Sequence, residues 1–167
     1  MRHVQSFAPI ETADARILIL GSMPGEASLR AGQYYAHPRN LFWRIMGELL
    51  GTDPGSPYEQ RIQALKSARI ALWDVLRSCR RKGSLDSNID HESLVPNDFA
   101  AFFLNHPQIT RVFFNGAKAE QCYRKHMQPV TGIESIEYLR LPSTSPANAS
   151  FSYERKLDAW RVITTCA

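Results

Sequence analysis

The stretch RILILGSMPGEASLRAGQYYAHPRNLFW, Arg16 to Trp43, decides how the chain is read. It begins with a short apolar run closed by Gly21, the pattern of a strand buried on both faces of a parallel sheet. A long loop follows, holding Gly25 and Gly32, whose backbone can bend tightly and approach a ligand closely. Then Leu41, Phe42, Ile45, Met46, Leu49 and Leu50 recur at helical spacing, with Gly51 as the stop. Strand, elaborate loop and amphipathic helix in that order predict one βα unit with a site in its loop.

The rest of the chain repeats the scheme. Residues 58–66 read as a helix and 70–73 as a strand that opens into a loop at Asp74. A helix over 97–104 precedes a strand over 111–114, a turn at Asn115 and Gly116, and a helix over 117–127. IEYLRL then gives a last strand, followed by a polar loop and a closing helix. Strands alternating with helices over short connections predict an α/β fold, a three-layer α/β/α arrangement around a central, mainly parallel four-stranded sheet. Ligands of such sheets bind beyond the carboxyl ends of the strands, which points to the loops at 21–40, 74–89, 115–116 and 141–150.

Composition bounds the function. The chain has 167 residues, 44% of them apolar, enough for one core and too few for two ordinary domains, so 1–167 is expected to be a single domain. Its net charge of +4 suits a polyanionic partner without selecting one. Cys79, Cys122 and Cys166 lack C-x-x-C spacing and are odd in number, which argues against a disulfide framework or a zinc or iron–sulfur site and for a reducing compartment. The apolar run at 17–20 is far too short for a signal peptide or a membrane span. Cytoplasmic residence, near the nucleoid of a bacterial-type cell, is the expectation.

The loops narrow the chemistry. The first lacks both the G-x-x-x-x-G-K-[ST] phosphate loop and the G-x-G-x-x-G spacing of dinucleotide sites. Tyr34 and Tyr35 offer faces on which a base stacks, worth about 1–3 kcal/mol each, or else belong to the core. His37 reads as a general base or as a packed side chain with one hydrogen bond. Asn40, just past Pro38, is a helix N-cap or an amide aimed into the cleft. LPSTSPANAS holds hydroxyls and backbone donors suited to phosphate oxygens, or to caps and turns. Arg80, Arg81 and Lys82 form a solvated charge run or a phosphate contact zone.

Gly21-Ser22-Met23-Pro24-Gly25, followed by Tyr35-Ala36-His37-Pro38-Arg39-Asn40-Leu41-Phe42-Trp43, resembles the uracil-DNA glycosylase superfamily. The match is close to its mismatch-specific branch, whose first motif runs G-x-N-P-G and then aromatic-A-H-P-x-N-x-F-W. With YYAHPRNLFW and the later LPSTSPAN, the detail is similar to the hypoxanthine-DNA glycosylase branch. The resemblance runs in element order from Arg16 to Trp160 and implies the uracil-DNA glycosylase-like version of the fold.

Departures from the pattern matter as much. Met23 stands where relatives carry the Asp or Asn that positions the attacking water, and Leu141 where they often carry His or Asn before Pro-Ser. The resemblance therefore leaves Asn40 as the catalytic residue, a neutral amide that orients water or stabilises separating charge without titrating. It implies that Tyr35 stacks on the flipped base, that the backbone around Met23 hydrogen-bonds it, and that Asp74 accepts a ring N–H, a turn cap being the alternative for Asp74. Ser143, Thr144 and Ser145, with Pro146, would clamp the flanking phosphates and fill the gap, while Gly21, Pro24, Gly25, His37 and Pro38 shape the motif.

The activity so implied is monofunctional removal of deaminated bases, hypoxanthine first, from double- or single-stranded DNA by a monomer. No metal or other cofactor is expected, and no motif position holds a Lys to attack the sugar. A flipped base must leave the stack, at least cost when damaged or mispaired. The alternatives are uracil or thymine excision from G mismatches, and a DNA-binding module without catalysis.

Overall fold

The computed structural model describes residues 2–127 and 135–165. Four parallel strands form its main sheet: β2 (Ile17–Gly21), β3 (Ile70–Asp74), β6 (Arg111–Asn115) and β7 (Glu137–Leu141), ordered β3-β2-β6-β7. β2 pairs in register with β3 from Ile17↔Ile70 to Gly21↔Asp74, and with β6 from Ile17↔Arg111 to Leu20↔Phe114.

Strand periodicity sorts the side chains between two apolar layers. Ile17, Ile19, Ile70, Leu72 and Phe113 face α2 (Phe42–Leu50), α3 (Tyr58–Ser67) and α6 (Tyr153–Trp160), which bury Ile45, Met46, Leu65 and Trp160 there. Leu18, Leu20, Ala71, Val112 and Phe114 face α4 (Phe99–Asn105) and α5 (Ala117–His126), which bury Phe99, Phe102, Ala119 and Tyr123. The three-layer expectation therefore holds, with every strand and helix it named present to within one or two residues.

A short helix, α1 (Glu26–Ala31), inside the expected loop at 21–40 and a second sheet were not foreseen. β1 (Arg2–Gln5), β4 (Leu76–Arg81) and β5 (Ile89–Pro96) form a three-stranded antiparallel sheet in the order β1-β4-β5. The segment 74–89, expected to be a loop, is thus largely a strand and its turn. Val75 alone separates β3 from β4, and its N–H donates to the Gly21 carbonyl at 2.8 Å, so the chain leaves one sheet and enters the other beside the end of β2. Val4, Leu76, Cys79 and Ile89 supply its buried contacts.

The topology fixes where a ligand fits. From β2 the chain crosses to β3 at one edge, and from β6 to β7 at the other. β2 and β6 flank the point where the strand order reverses, and the crevice beyond their carboxyl ends is the natural site of such a sheet. No described helix is long and apolar enough to cross a membrane. Cys79 and Cys122 are buried free thiols, and Cys166 lies outside the described residues.

Candidate active site

Beyond those carboxyl ends lies a cavity of about 380 Å³, in the range usual for small-molecule sites. The strand ends supply Gly21, Asp74 and Asn115; the first loop supplies Met23, Tyr35, His37 and Asn40; the loop after β7 supplies 143–147. The turn between β4 and β5 adds Ser84, Leu85 and Asp86. The loops at 115–116 and 141–150 meet there as read from the sequence, the one at 21–40 meets there with a short helix at Glu26–Ala31 inside it, and the fourth meets there as the tip of a hairpin.

Asn40 is held by its own helix. Its Oδ1 accepts the Phe42 N–H at 2.9 Å, so the capping bond anticipated from sequence forms, and the oxygen is not the end that serves the cleft. The carboxamide NH2 is the group left to meet a ligand. His37 makes one local bond, its Nδ1 accepting the Arg39 N–H at 3.1 Å, but it is exposed and not packed as one reading of the sequence had it.

The two tyrosines divide their work. Tyr34 is core: only 4% exposed, it donates its hydroxyl to the Ala8 carbonyl at 2.8 Å, and its own carbonyl accepts the Trp43 indole N–H at 2.7 Å. Tyr35 adopts φ 53°, an uncommon conformation for a non-glycine residue. Those anchors on Tyr34, and the Ala36 N–H bonded to Ser28 Oγ at 3.0 Å, hold it there. One side of the Tyr35 ring is taken by Phe42, with centroids 4.3 Å apart and planes inclined 33°. Its hydroxyl is buried with no well-formed hydrogen bond among the described residues, and burial, with the nearby Asp74 charge and against the pull of Asn115, holds the phenol far above its ordinary titration range.

Gly21 explains how Tyr35 and Asp74 come together. A Cβ there would meet Asp74 Oδ1 at 2.5 Å and the Tyr35 hydroxyl at 2.7 Å, so both polar groups lean over a bare backbone. Gly21→Ala is expected to cost about 1–3 kcal/mol of stability, as overpacking does, and to displace both groups. Thermal melting and base-release assays on the variant should show the activity lost more completely than the fold.

Asp74 is 3% exposed, and its Oδ2 is buried with no hydrogen-bond partner among the described residues. Burial, helped by the nearby Asp86 charge and opposed by Arg81, pushes its carboxyl up to about 7. Near neutrality the group therefore exists both as carboxylate and as neutral acid, able to accept or to donate a hydrogen bond. Asp86 accepts the Ser22 hydroxyl at 2.8 Å, and burial raises its carboxyl too, against the pull of Ser22, Arg81 and Lys118.

Arg81 was missed. Neither a solvated charge nor a phosphate contact, it is 1% exposed, donating Nη2 to the Pro24 carbonyl and Nε to the Gly83 carbonyl at 2.8 Å. It pins the first loop to the hairpin turn and sets a positive charge near both acids. Only the burial pattern of β4 could have signalled it, and register shifts against β5 break the alternation there, so that Ser78, Cys79 and Arg81 are all buried.

The loop after β7 is tied down as well. Asn115 donates Nδ2 to Thr144 Oγ1 at 3.0 Å and accepts the Thr144 N–H at 2.9 Å. Lys156 is 2% exposed and donates Nζ to the Asn148 carbonyl at 2.8 Å. Thr144 is fully buried and turned toward Asn115, so it does not face flanking phosphates as expected, whereas Pro146 is exposed and Ser143 and Ser145 are half-buried. Met23 and Leu141, at 8% and 3% exposure, join the apolar layers and bring no polar side chain. No cluster of three or more His, Cys, Asp or Glu suited to a metal ion occurs among the described residues.

The family profile described as Uracil DNA glycosylase superfamily matches residues 9–164. The chain belongs to that superfamily. A hypoxanthine DNA glycosylase of Methanosarcina barkeri is 38% identical over 153 residues, covering 91% of this chain and 92% of the relative. One from Methanosarcina acetivorans is 36% identical over 160 residues, covering 95% and 96%. A Methanosarcina acetivorans chain solved by solution NMR, described as a candidate uracil DNA glycosylase, superposes with a TM-score of 0.77 at 35% identity, covering 98% of this chain and 99% of that one.

Proposed function

We propose that this chain is a monofunctional DNA glycosylase that hydrolyses the N-glycosidic bond of hypoxanthine in DNA and leaves an abasic site. The observation that carries the reading is the switch-point cavity itself, walled by Tyr35, Asn40 and Asp74 in a superfamily of DNA glycosylases. Relatives named hypoxanthine DNA glycosylases at 36–38% identity support the choice of base.

Breaking the bond develops positive charge on the sugar and negative charge on the base. The Asn40 amide is placed to hold water or the separating charges, which is worth about 10²–10³ in rate for a preorganised polar group. Tyr35 bears on the flipped base, Asp74 reads its edge, and Ser143, Ser145 and Pro146 meet the DNA around it. No lysine lines the cavity among the described residues, so the sugar is attacked by water and the strand stays intact. The protein works as a monomer in the cytoplasm on double- or single-stranded DNA carrying a deaminated base; the buried free thiols of Cys79 and Cys122 suit a reducing compartment.

Identical duplexes carrying one hypoxanthine, uracil or xanthine, followed by alkaline cleavage at abasic sites, test the reading. Hypoxanthine is expected to be released fastest. A preference for uracil would assign the chain to uracil excision, and salt-sensitive binding with no release from any duplex would make it a binding module.

A further inference from the structure

Asp74 has more to do than read a base edge. It lines the cavity at the end of β3, with Oδ1 over the Cα of Gly21 and Oδ2 buried without a partner among the described residues. A buried carboxylate stays ionised when N–H groups or a cation bond to it directly; one that accepts none is favoured as the neutral acid. Among the described residues, the charges that act on it come from Asp86 and Arg81. Asp86, from the β4–β5 turn, repels a second negative charge and is itself held by Ser22. Arg81, from β4, bonds the Pro24 and Gly83 carbonyls and pulls the Asp74 carboxyl down by its charge, without a hydrogen bond to it among the described residues. Tyr34 and Tyr35, from the first loop, bring neutral hydroxyls, and Lys118, from α5, bears on Asp86.

A purine torn from its sugar without a proton is a poor leaving group, and neither Asn40, Met23 nor Leu141 has a proton to give at neutral pH. Resting on the function proposed above, we propose that Asp74 is the general acid of base release, handing its carboxyl proton to a ring nitrogen of the departing hypoxanthine. The C1′–N9 bond breaks with its electron pair moving to the base, and the Asp74 proton leaves that base neutral. Water then adds to the electron-poor C1′ and gives up a proton to the Asp74 carboxylate, which restores the acid.

The role has a signature in pH. An acid that must be protonated is fully effective below its pKa and loses tenfold per pH unit above it, so single-turnover release should fall above about pH 7. Asp74→Asn keeps size and hydrogen bonding but holds no transferable proton; it is expected to lower the rate about a hundredfold or more, with DNA affinity retained and the falling limb gone. Asp86→Asn removes the repelling charge and should move the limb of the otherwise wild-type enzyme to lower pH, a readout that survives should Asp74→Asn fail to fold. Duplexes carrying 7-deaza- or 3-deazahypoxanthine identify the nitrogen, and at least one should resist release. Wild-type release that does not depend on pH from 6 to 9, an Asp74→Asn enzyme with the wild-type rate and profile, or both deaza bases leaving at the normal rate would overturn the proposal while leaving the glycosylase reading intact. No hypoxanthine release by the wild type at any pH would overturn the glycosylase reading instead.

Discussion

Asn40→Ala is expected to lower hypoxanthine release about 10²–10³-fold while the protein remains folded and still binds the duplex. Two losses are combined in that variant. The Phe42 N–H loses the oxygen that accepts it at 2.9 Å, which costs about 1 kcal/mol of stability at a helix start. The NH2 end, left to meet water or substrate, disappears with it. Asn40→Ser separates them, because a serine hydroxyl caps the helix and offers no amide. Melting temperature should recover in Asn40→Ser relative to Asn40→Ala, and the rate of base release should not. Recovery of both would reduce Asn40 to a cap.

The second large effect is expected at Arg81. Arg81→Met leaves the Pro24 and Gly83 carbonyls without their donor and leaves Asp74 and Asp86 without the nearby cation. Breaking a buried charge arrangement from one side costs about 3–5 kcal/mol. The cost depends on pH with a definite sign. Both carboxyls are already raised from an ordinary value of 3.8, and losing the cation raises them further, so the folded state binds more protons than the unfolded one above about pH 4. Stability then falls as pH rises through that window. Urea midpoints of wild type and Arg81→Met should therefore differ more at pH 8 than at pH 5. An equal difference at both values would mean that Arg81 acts through its carbonyl bonds alone. Arg81→Lys is not expected to rescue, because one ammonium lacks the planar fork that spans the two carbonyls.

These residues also mark where the sequence is legible. The parallel sheet and its helices announce themselves because β2, β3 and β6 are apolar runs buried on both faces, and helices such as α2 keep their period; the largely exposed edge strand β7 reads from its Tyr and Leu positions instead. β1 and β4 do not, since RHVQ buries only Val4, and LRSCRR looks polar because its inward positions include Ser78 and Arg81. The same blind spot hides the Asp74–Asp86–Arg81 group. Asp86 is joined to Ser22 across 64 residues of sequence, and its proximity to Asp74 arises only when β4 leaves the end of β3. Asn40, Tyr35 and Asp74 could be named in advance, the first two from a dense motif and the last from its place at a strand end. Their working states could not, because a carboxyl's protonation and an amide's free end depend on neighbours that the sequence holds far apart.

Incubating the protein with a duplex that carries one deoxyinosine, and analysing both products, separates base release from strand cutting. Free hypoxanthine in solution is expected, with a strand that stays whole until alkali cuts it at the abasic site. An intact deoxyinosine strand with no free base, or a strand cut without alkali, would contradict the proposed function.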